Sequence, residues 1–365
     1  MGLPSCQHDH AWHRNGQNRR HDRRKTPSRL CRRTGRYATG LLLGLLLSLT
    51  TVSAEPFRIA TFNTELSRKG PGILLGDILR GEDPQVIAAQ DALIATNPDI
   101  IVLQSIDFDL QNAALNAFAD ALEQRGSSYP YRFALRPNTG MPTGVDLNGD
   151  GKLGGGDDAQ GFGRFSGQGG MAILSRFPVL QDKVTDHSGL LWRDMPGNLF
   201  PMTDTGPFGG DAAYEIQRLS SKGHWVVPIS TPNFGPINVM TFHATPPVFD
   251  GAEDRNGRRN HDEVALWSQL LKDHSDFVLL GDANIDPERG EGRKAAINAL
   301  ITDPRLQNPF PNAPTANWPD PGPGELRVDY LLPSIDWKVV DFGLFAAPNA
   351  SRHLLLWADL EPTDP

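Results

Sequence analysis

The most informative segment of this chain reads Phe277-Val278-Leu279-Leu280-Gly281-Asp282-Ala283-Asn284. The four apolar residues predict a buried β-strand, and the residues that follow predict a turn at its carboxyl end. Side chains alternate along a strand, so Asp282 and Asn284 would point the same way. A carboxylate and a carboxamide that face together can orient one water or one phosphoryl group. The alternative is that both are ordinary turn residues.

Other apolar segments also end in, or contain, polar residues with useful chemistry. In chain order they are Asn63 after 57–62, Ser105, Asp107 and Asp109 after 99–104, His243 after 237–242, Asp329 within 327–332, and His353 before 354–360. Any one of these could be a turn or structural residue. The ordered set is far more specific than any single member.

This ordered set resembles the endonuclease/exonuclease/phosphatase superfamily of metal-dependent phosphoesterases, which are DNase I-like proteins, from Phe57 to Leu360. The resemblance implies a four-layered α/β/β/α sandwich with its site at one end of two packed mixed sheets. The mixture of strand–helix alternation with directly adjacent strands also favours this α/β arrangement. Helices are predicted over 85–94, 113–125 and 262–272, and the Pro- and Gly-rich run 308–324 predicts a long surface loop.

The resemblance also assigns roles to individual residues. Asp282 would orient or deprotonate the attacking water, Asn284 would hold a phosphoryl oxygen, and His243 would contact the phosphate. Asp329 would accept a hydrogen bond from His353, which is then the general base or the cation that faces the phosphorane. Independently, an aspartate inside an apolar strand costs free energy unless it has a partner. A lone histidine such as His243 can also be purely structural.

Two positions depart from the family's pattern. Ser105 stands where the family has its main metal-binding glutamate, and Arg352 stands where it has an aspartate. The resemblance assigns metal binding to Asn63, and Asp107 or Asp109 could replace the missing glutamate, because Mg²⁺ or Mn²⁺ needs at least one carboxylate. Arginine can clamp a phosphate. Three outcomes stay open: a metal held by Asp107 with Arg352 on the phosphate, weak metal binding, or an inactive site.

Two loops are predicted to form the rim of this site. The first matches a calcium-binding loop, with oxygen ligands at the expected spacing and glycine at the turn. A structural Ca²⁺ there would order the rim; without evident flanking helices, the alternative is a polar Gly-rich loop. The second, 245–260, carries arginines that either meet the phosphate or form a solvated cluster. The residues concerned are Asp146, Asn148, Asp150 and Asp157 in the first loop, and Arg258 or Arg259 in the second.

The first 54 residues differ from the remainder. They hold ten basic against two acidic residues, then an uncharged apolar stretch and the small-residue pattern Val52-Ser53-Ala54. These features predict a cleaved secretory signal, followed by a single domain over 55–365. Both cysteines, Cys6 and Cys31, lie in this segment, so the mature chain has no disulfide or thiolate metal site. We expect a secreted or periplasmic protein without a membrane span.

The charge of residues 55–365, with 25 basic and 41 acidic side chains, bears on the substrate. Proteins that grip long polyanions usually carry a basic stripe, and no basic run occurs here. A small phosphoester is therefore favoured over nucleic acid, although acidity also promotes solubility. We expect a monomeric, secreted, metal-dependent phosphoesterase that hydrolyses a phosphate mono- or diester by in-line attack of an activated water. The alternatives are an endonuclease, or a catalytically silent descendant that binds Ca²⁺ or a phosphorylated ligand.

Overall fold

Two mixed β-sheets pack face to face in the computed structural model, which describes residues 55–363. The helices are α1 (Ile73–Arg80), α2 (Pro84–Thr96), α3 (Ala113–Gln124), α4 (Gly210–Ile216), α5 (Arg255–Leu270) and α6 (Ala295–Ile301). The strands are β1 (Phe57–Asn63), β2 (Ile100–Ile106), β3 (Tyr131–Phe133), β4 (Gly170–Ser175), β5 (Thr185–Asp186), β6 (Met202–Thr203), β7 (Gly206–Pro207), β8 (His224–Thr231), β9 (Gly235–His243), β10 (Phe277–Asp282), β11 (Ala316–Trp318), β12 (Gly324–Leu326), β13 (Asp329–Pro333), β14 (Trp337–Phe345) and β15 (Leu355–Pro362).

Each large sheet has a parallel pair near its centre. The six-stranded sheet has the order β14-β15-β1-β2-β4-β3, in which β1 runs parallel to β2 and antiparallel to β15. The five-stranded sheet has the order β13-β10-β9-β8-β5, in which β10 runs parallel to β9 and antiparallel to β13. Parallel neighbours end at the same edge of a sheet, so the polar residues that close them come together.

Apolar side chains fill three layers between and outside the sheets. Ile59 and Val102 of one sheet meet Val239 and Val278 of the other in a fully buried central core. A second cluster joins the six-stranded sheet to α1, α2 and α3, and a third joins the five-stranded sheet to α5 and α6. Each fully buried side chain of this kind contributes about 1.5–3 kcal/mol relative to an exposed one. The predicted four-layered α/β/β/α sandwich is confirmed.

Two predicted boundaries are wrong. The third helix begins at Arg255 rather than at residue 262, so part of the predicted rim 245–260 is helical. Its first turns are polar, and the buried Arg259 guanidinium holds them by donating to carbonyl oxygens, among them those of Gln160 and Leu219. The predicted loop 308–324 contains β11, which pairs with β12. Three-residue strands are too short to show an apolar alternation in sequence.

The predicted signal, residues 1–54 with both cysteines, lies outside the described residues. Within residues 55–363 no helix combines the length and apolar character that crossing a membrane requires.

Candidate active site

Strand register places three of the predicted catalytic side chains next to one another. At the end of the five-stranded sheet, Asp282 of β10 pairs with His243 of β9 on one side and with Asp329 of β13 on the other. The facing sheet contributes Asn63 from the end of β1 and His353 from the segment before β15. All five are at least 96 % buried. The structure therefore brings together residues that are far apart in the chain.

The turn after β10 explains the Gly-Asp-x-Asn pattern. Gly281 has φ of 149°, and a Cβ there would lie 2.1 Å from the carbonyl oxygen of Phe242, so only glycine allows this approach of β9. Asn284 lies beyond the strand with φ of 51°, a conformation that asparagine tolerates. Its backbone N–H donates to Asp282 Oδ1 at 2.8 Å, and its side chain donates to the Ala244 carbonyl at 2.9 Å. Asn284 thus braces the Asp282 carboxylate.

The Asp282 carboxylate is the centre of the cluster. Its Oδ2 accepts a hydrogen bond of 2.8 Å from Asn63 Nδ2 and lies 3.4 Å from His243 Nε2. Burial, reinforced by the negative charge of Asp329, raises the pKa of Asp282 to about 7. A carboxyl group with this pKa can accept a proton from water near neutral pH.

Asp329 and His353 form a buried pair. Asp329 Oδ2 lies 2.8 Å from His353 Nδ1, so an ionised carboxylate makes Nδ1 the donor. Burial alone would lower the pKa of His353, but the charge and hydrogen bond of Asp329 outweigh it and raise the pKa to about 9. The imidazole is then cationic at neutral pH. Its Nε2 lies 3.4 Å from Asn63 Nδ2, itself a donor, which leaves an Nε2 proton for an incoming oxygen.

His243 has the opposite electrostatic environment. Burial lowers its pKa well below the ordinary 6.5, and the nearby cations Lys222 and His353 act in the same direction. This imidazole is therefore neutral. Its Nδ1 is buried and has no hydrogen-bond partner among the described protein atoms. A buried polar atom of this kind calls for a partner from solvent or a ligand.

The two positions that depart from the family's pattern have distinct environments. Ser105 lies at an irregularity between β2 and β4 and has φ of 55°. Arg352 donates to Glu65 through its backbone N–H and its Nε, each at 2.9 Å, and also through Nη2. Burial alone would raise the pKa of Glu65, but these bonds outweigh it and lower the pKa. The guanidinium assigned to the substrate phosphate is thus paired with a carboxylate.

The two aspartates suggested as substitutes for the missing glutamate bind backbone groups. Asp107 Oδ1 accepts from the N–H of Gly169 at 2.8 Å, and its Oδ2 accepts from that of Arg68 at 2.9 Å. Asp109 accepts from the N–H of Ala114 at the start of α3. The hydrogen bonds of Asp107 hold two loops together, and those of Asp109 stabilise the start of α3. Among the described residues, the potential metal-binding cluster consists of Asp282, Asp329 and His353, whose ligand atoms lie within 4.8 Å of one another, and it includes neither aspartate.

The predicted rim residues are not brought into the cluster by any hydrogen bond within residues 55–363. Arg258 donates to the Glu253 carbonyl at 3.1 Å, and Arg259 is buried among backbone carbonyls. In the predicted calcium loop, Asp146 accepts from the N–H groups of Gly149, Asp150 and Gly151. Asn148 donates to Asp157, and Asp150 accepts from the Lys152 N–H at 2.8 Å. The four predicted ligands are therefore hydrogen-bonded to other groups of the same loop. Calcium binding by this loop stays a prediction.

Sequence reasoning missed two residues beside His353. Glu65, with φ of 50°, pairs with Arg352 from 287 residues away. Trp318 of β11 packs its ring edge-on against the His353 imidazole, with centroids 5.3 Å apart. Glu65 follows Asn63 by two positions, which is the one local signal that could have indicated it. Trp318 lies in a run that was interpreted as a loop.

Comparisons with known proteins identify the family and the fold. The sequence model of the Endonuclease/Exonuclease/phosphatase family matches residues 60–353. A solved endonuclease/exonuclease/phosphatase from Beutenbergia cavernae is 19% identical with a TM-score of 0.54, covering 85% of this chain and 72% of that chain. A family protein from Leptotrichia buccalis is 13% identical with a TM-score of 0.50, covering 84% of this chain and 99% of that chain. No curated protein matches the chain. Because the family model spans most of the sequence and the fold is shared with solved members, the resemblance predicted from the strand ends is confirmed, and the chain belongs to the Endonuclease/Exonuclease/phosphatase family.

Proposed function

We propose that the chain hydrolyses a small phosphate mono- or diester by in-line attack of a water that Asp282 activates. Members of its family are generally hydrolases that act on phosphoester bonds. The observation that supports the proposal is the convergence of Asp282, Asn63 and the Asp329–His353 pair at one end of the sheets. The Asp282 carboxylate, as proton acceptor, and the His353 imidazolium, as cation, both lie next to the Asn63 carboxamide.

The two pKa shifts divide the chemical work between the residues. The Asp282 carboxylate, with a pKa of about 7, takes the proton of the attacking water as the water oxygen bonds to phosphorus. The His353 imidazolium, with a pKa of about 9, faces the charge that builds up on the phosphoryl oxygens before the ester oxygen leaves. Of the two roles predicted for His353, the cation fits this shift better than the general base.

A divalent metal fits the donor chemistry of the cluster. Family enzymes typically use one, and Asp282, Asp329 and His353 each offer a buried ligand atom. Mg²⁺ often takes only one or two protein carboxylates, with water and substrate phosphate as the other ligands. Since Asp329 is committed to His353, Asp282 and the Asn63 carboxamide are the groups left to hold the ion. We propose Mg²⁺ or Mn²⁺, which when bound would polarise a phosphoryl oxygen.

A catalytically silent binding protein is the second candidate. It is favoured by Ser105 and by the Arg352–Glu65 pair, because both remove negative charge from the expected metal position. The intact Asp329–His353 pair favours the enzyme, since it raises the pKa of a buried histidine in a way that a scaffold does not require. The predicted export, monomeric state and preference for small substrates over nucleic acid belong to the same proposal.

The test is hydrolysis of p-nitrophenyl phosphate, bis-p-nitrophenyl phosphate and plasmid DNA, with Mg²⁺, Mn²⁺, Ca²⁺ or EDTA. Asp282→Asn and His353→Ala variants are assayed beside the wild type, with thermal melts to check folding. We expect at least a hundredfold loss of kcat in each variant, since general base catalysis by Asp282 contributes about 10²–10⁴-fold and one group that stabilises transition-state charge contributes about 10²–10³-fold. Wild-type turnover that both variants retain would refute the site assignment. No turnover with any substrate or ion would favour the silent binding protein.

A further inference from the structure

A cavity of about 350 Å³ lies at the irregular end of β2, in the size range of sites for small ligands. Eight residues line it, and none of them carries a carboxylate. Lys222 and Arg164 supply two cations, and Ser67, Ser105 and Gln168 supply neutral polar groups. The chemistry of this lining suits an anion.

The cavity adjoins the catalytic cluster. Ser105 directly follows Gln104, which is the register partner of Asn63. Lys222 precedes β8, which pairs with the strand that ends at His243. The ammonium of Lys222 interacts electrostatically with both Asp282 and His243. A group bound against Lys222 therefore lies beside the proposed water-activating carboxylate.

The Lys222 charge is not neutralised by a direct partner. Within residues 55–363 its ammonium forms neither a hydrogen bond nor a salt bridge, although it is partly buried. Glu263, the carboxylate with the largest electrostatic effect on Lys222, is already occupied, because it accepts from the Ser221 N–H at 2.6 Å, the Ser221 hydroxyl at 2.8 Å and the Thr245 N–H at 2.6 Å. Burial lowers the pKa of Lys222, and a bound anion would favour the protonated ammonium by giving it an acceptor.

Neighbouring groups can add donors to the same anion. Ser105 lines the cavity, and a glutamate in its place would make the lining negative. The cationic His353, with a proton on Nε2, lies on the catalytic side. Arg164 and the largely exposed Phe162 lie at the rim, where an apolar leaving group can pack.

We propose that this cavity binds the phosphoryl group of a small phosphomonoester, with the Lys222 ammonium as its main charge contact and the Ser105 hydroxyl as a neighbouring donor. This inference rests on the proposed hydrolytic function and specifies its substrate class. A monoester phosphoryl group carries up to two negative charges, whereas a diester carries one. The cationic lining therefore discriminates between them, because Coulomb attraction scales with the product of the charges.

The test compares the wild type with Lys222→Met, Lys222→Arg and a control, Lys272→Met, whose side chain is exposed near the end of α5. Binding of inorganic phosphate is measured by calorimetry in EDTA and in Mg²⁺, and kcat and KM are measured for p-nitrophenyl phosphate and bis-p-nitrophenyl phosphate. We expect Lys222→Met to weaken phosphate binding about tenfold or more, because hydrogen bonds to charged groups contribute about 1.5–3 kcal/mol. Lys222→Arg should retain most of the binding, and Lys272→Met should leave it unchanged.

The wild type should also prefer the monoester by kcat/KM, and Lys222→Met should reduce this preference. Phosphate binding that is unchanged in a folded Lys222→Met variant would overturn the inference, even if Asp282→Asn abolishes hydrolysis and so upholds the proposed function. Lys222-dependent phosphate binding without hydrolysis of any substrate would overturn the proposed function and leave the cavity assignment standing. A wild-type preference for the diester would overturn the assignment to phosphomonoesters.

Discussion

Replacing Asp329 with asparagine should lower the pKa of His353 and so remove most of its positive charge at neutral pH. Asp329 Oδ2 lies 2.8 Å from His353 Nδ1, and both side chains are almost completely buried. Asparagine keeps the size of the side chain but loses the charge, and it can present an N–H to Nδ1 instead of an oxygen. The substitution therefore tests the electrostatic role of the pair with little change in packing.

The size of the effect follows from the pKa of the histidine. His353 has a pKa of about 9 against an ordinary value of 6.5, and the largest contributions that raise it come from Asp329. A difference of this size corresponds to about 3 kcal/mol of interaction with the protonated imidazole. In Asp329→Asn we expect the pKa to fall to 6.5 or below, because burial is then no longer offset. A pKa of 6.5 leaves roughly a quarter of the imidazoles protonated at pH 7, so kcat at that pH should fall at least about fourfold.

Two measurements check this prediction. NMR titration of the His353 imidazole gives its pKa directly, and the pH dependence of kcat for p-nitrophenyl phosphate gives the kinetic consequence. Asp182→Asn is the matched control, because Asp182 is exposed. An imidazole that titrates at the same pH in Asp329→Asn and in the wild type would refute the electrostatic argument, whatever happens to the rate.

Three further predictions address other parts of the chain. The Asp282 carboxyl should titrate near pH 7 by NMR in EDTA, and wild-type kcat should fall through about pH 9 as His353 loses its proton; a kcat that stays flat between pH 8 and 10 would contradict the His353 assignment. At a hundredfold excess over its Kd, Ca²⁺ bound at the loop should add about 3 kcal/mol to the free energy of unfolding of the wild type. Its Tm should therefore rise more on addition of Ca²⁺ than the Tm of Asp146→Asn, and equal rises in Tm would exclude the loop as a calcium site. Glu65→Gln should change the free energy of unfolding by less than about 1 kcal/mol, since 55% of the Arg352 side chain is exposed. It should also lower the KM for p-nitrophenyl phosphate, because the Arg352 guanidinium loses its carboxylate partner and can bind the phosphate. An unchanged KM would show that Arg352 does not bind the phosphate.

Local sequence patterns predicted several strands of the sandwich and the polar residues of the candidate cluster that lie at the strand ends. The apolar run before Gly281 and the runs before Asn63 and His243 are strands because β-branched and other apolar residues fill the space between the sheets. Polar residues at the ends of such runs mark the edge where a ligand can reach them. The resemblance implied His353 as the partner of Asp329, the cost of burying an unpaired carboxylate independently required a partner, and His353 Nδ1 lies 2.8 Å from Asp329 Oδ2.

The roles of several charged side chains could not be predicted in this way. Asp107 is two residues from the missing glutamate position, yet its oxygens bind the backbone N–H groups of Arg68 and Gly169. Arg352 is paired with Glu65, which lies 287 residues away. Nothing in the local sequence around either residue indicates these contacts, because each depends on how distant loops meet.

Residue order and apolar spacing were thus sufficient to indicate the family, and the resemblance implied the layered architecture and the Asp329–His353 pair, since strand formation and burial depend on short-range patterns. Folding was needed to reveal which carboxylates are occupied by backbone groups and which arginine is neutralised. It also showed that the Lys222 ammonium, which lines the cavity beside Ser105, forms no hydrogen bond or salt bridge within the described part of the chain, residues 55–363. The physical reason is that hydrogen bonding and Coulomb attraction act over a few ångströms in space and are independent of separation along the chain.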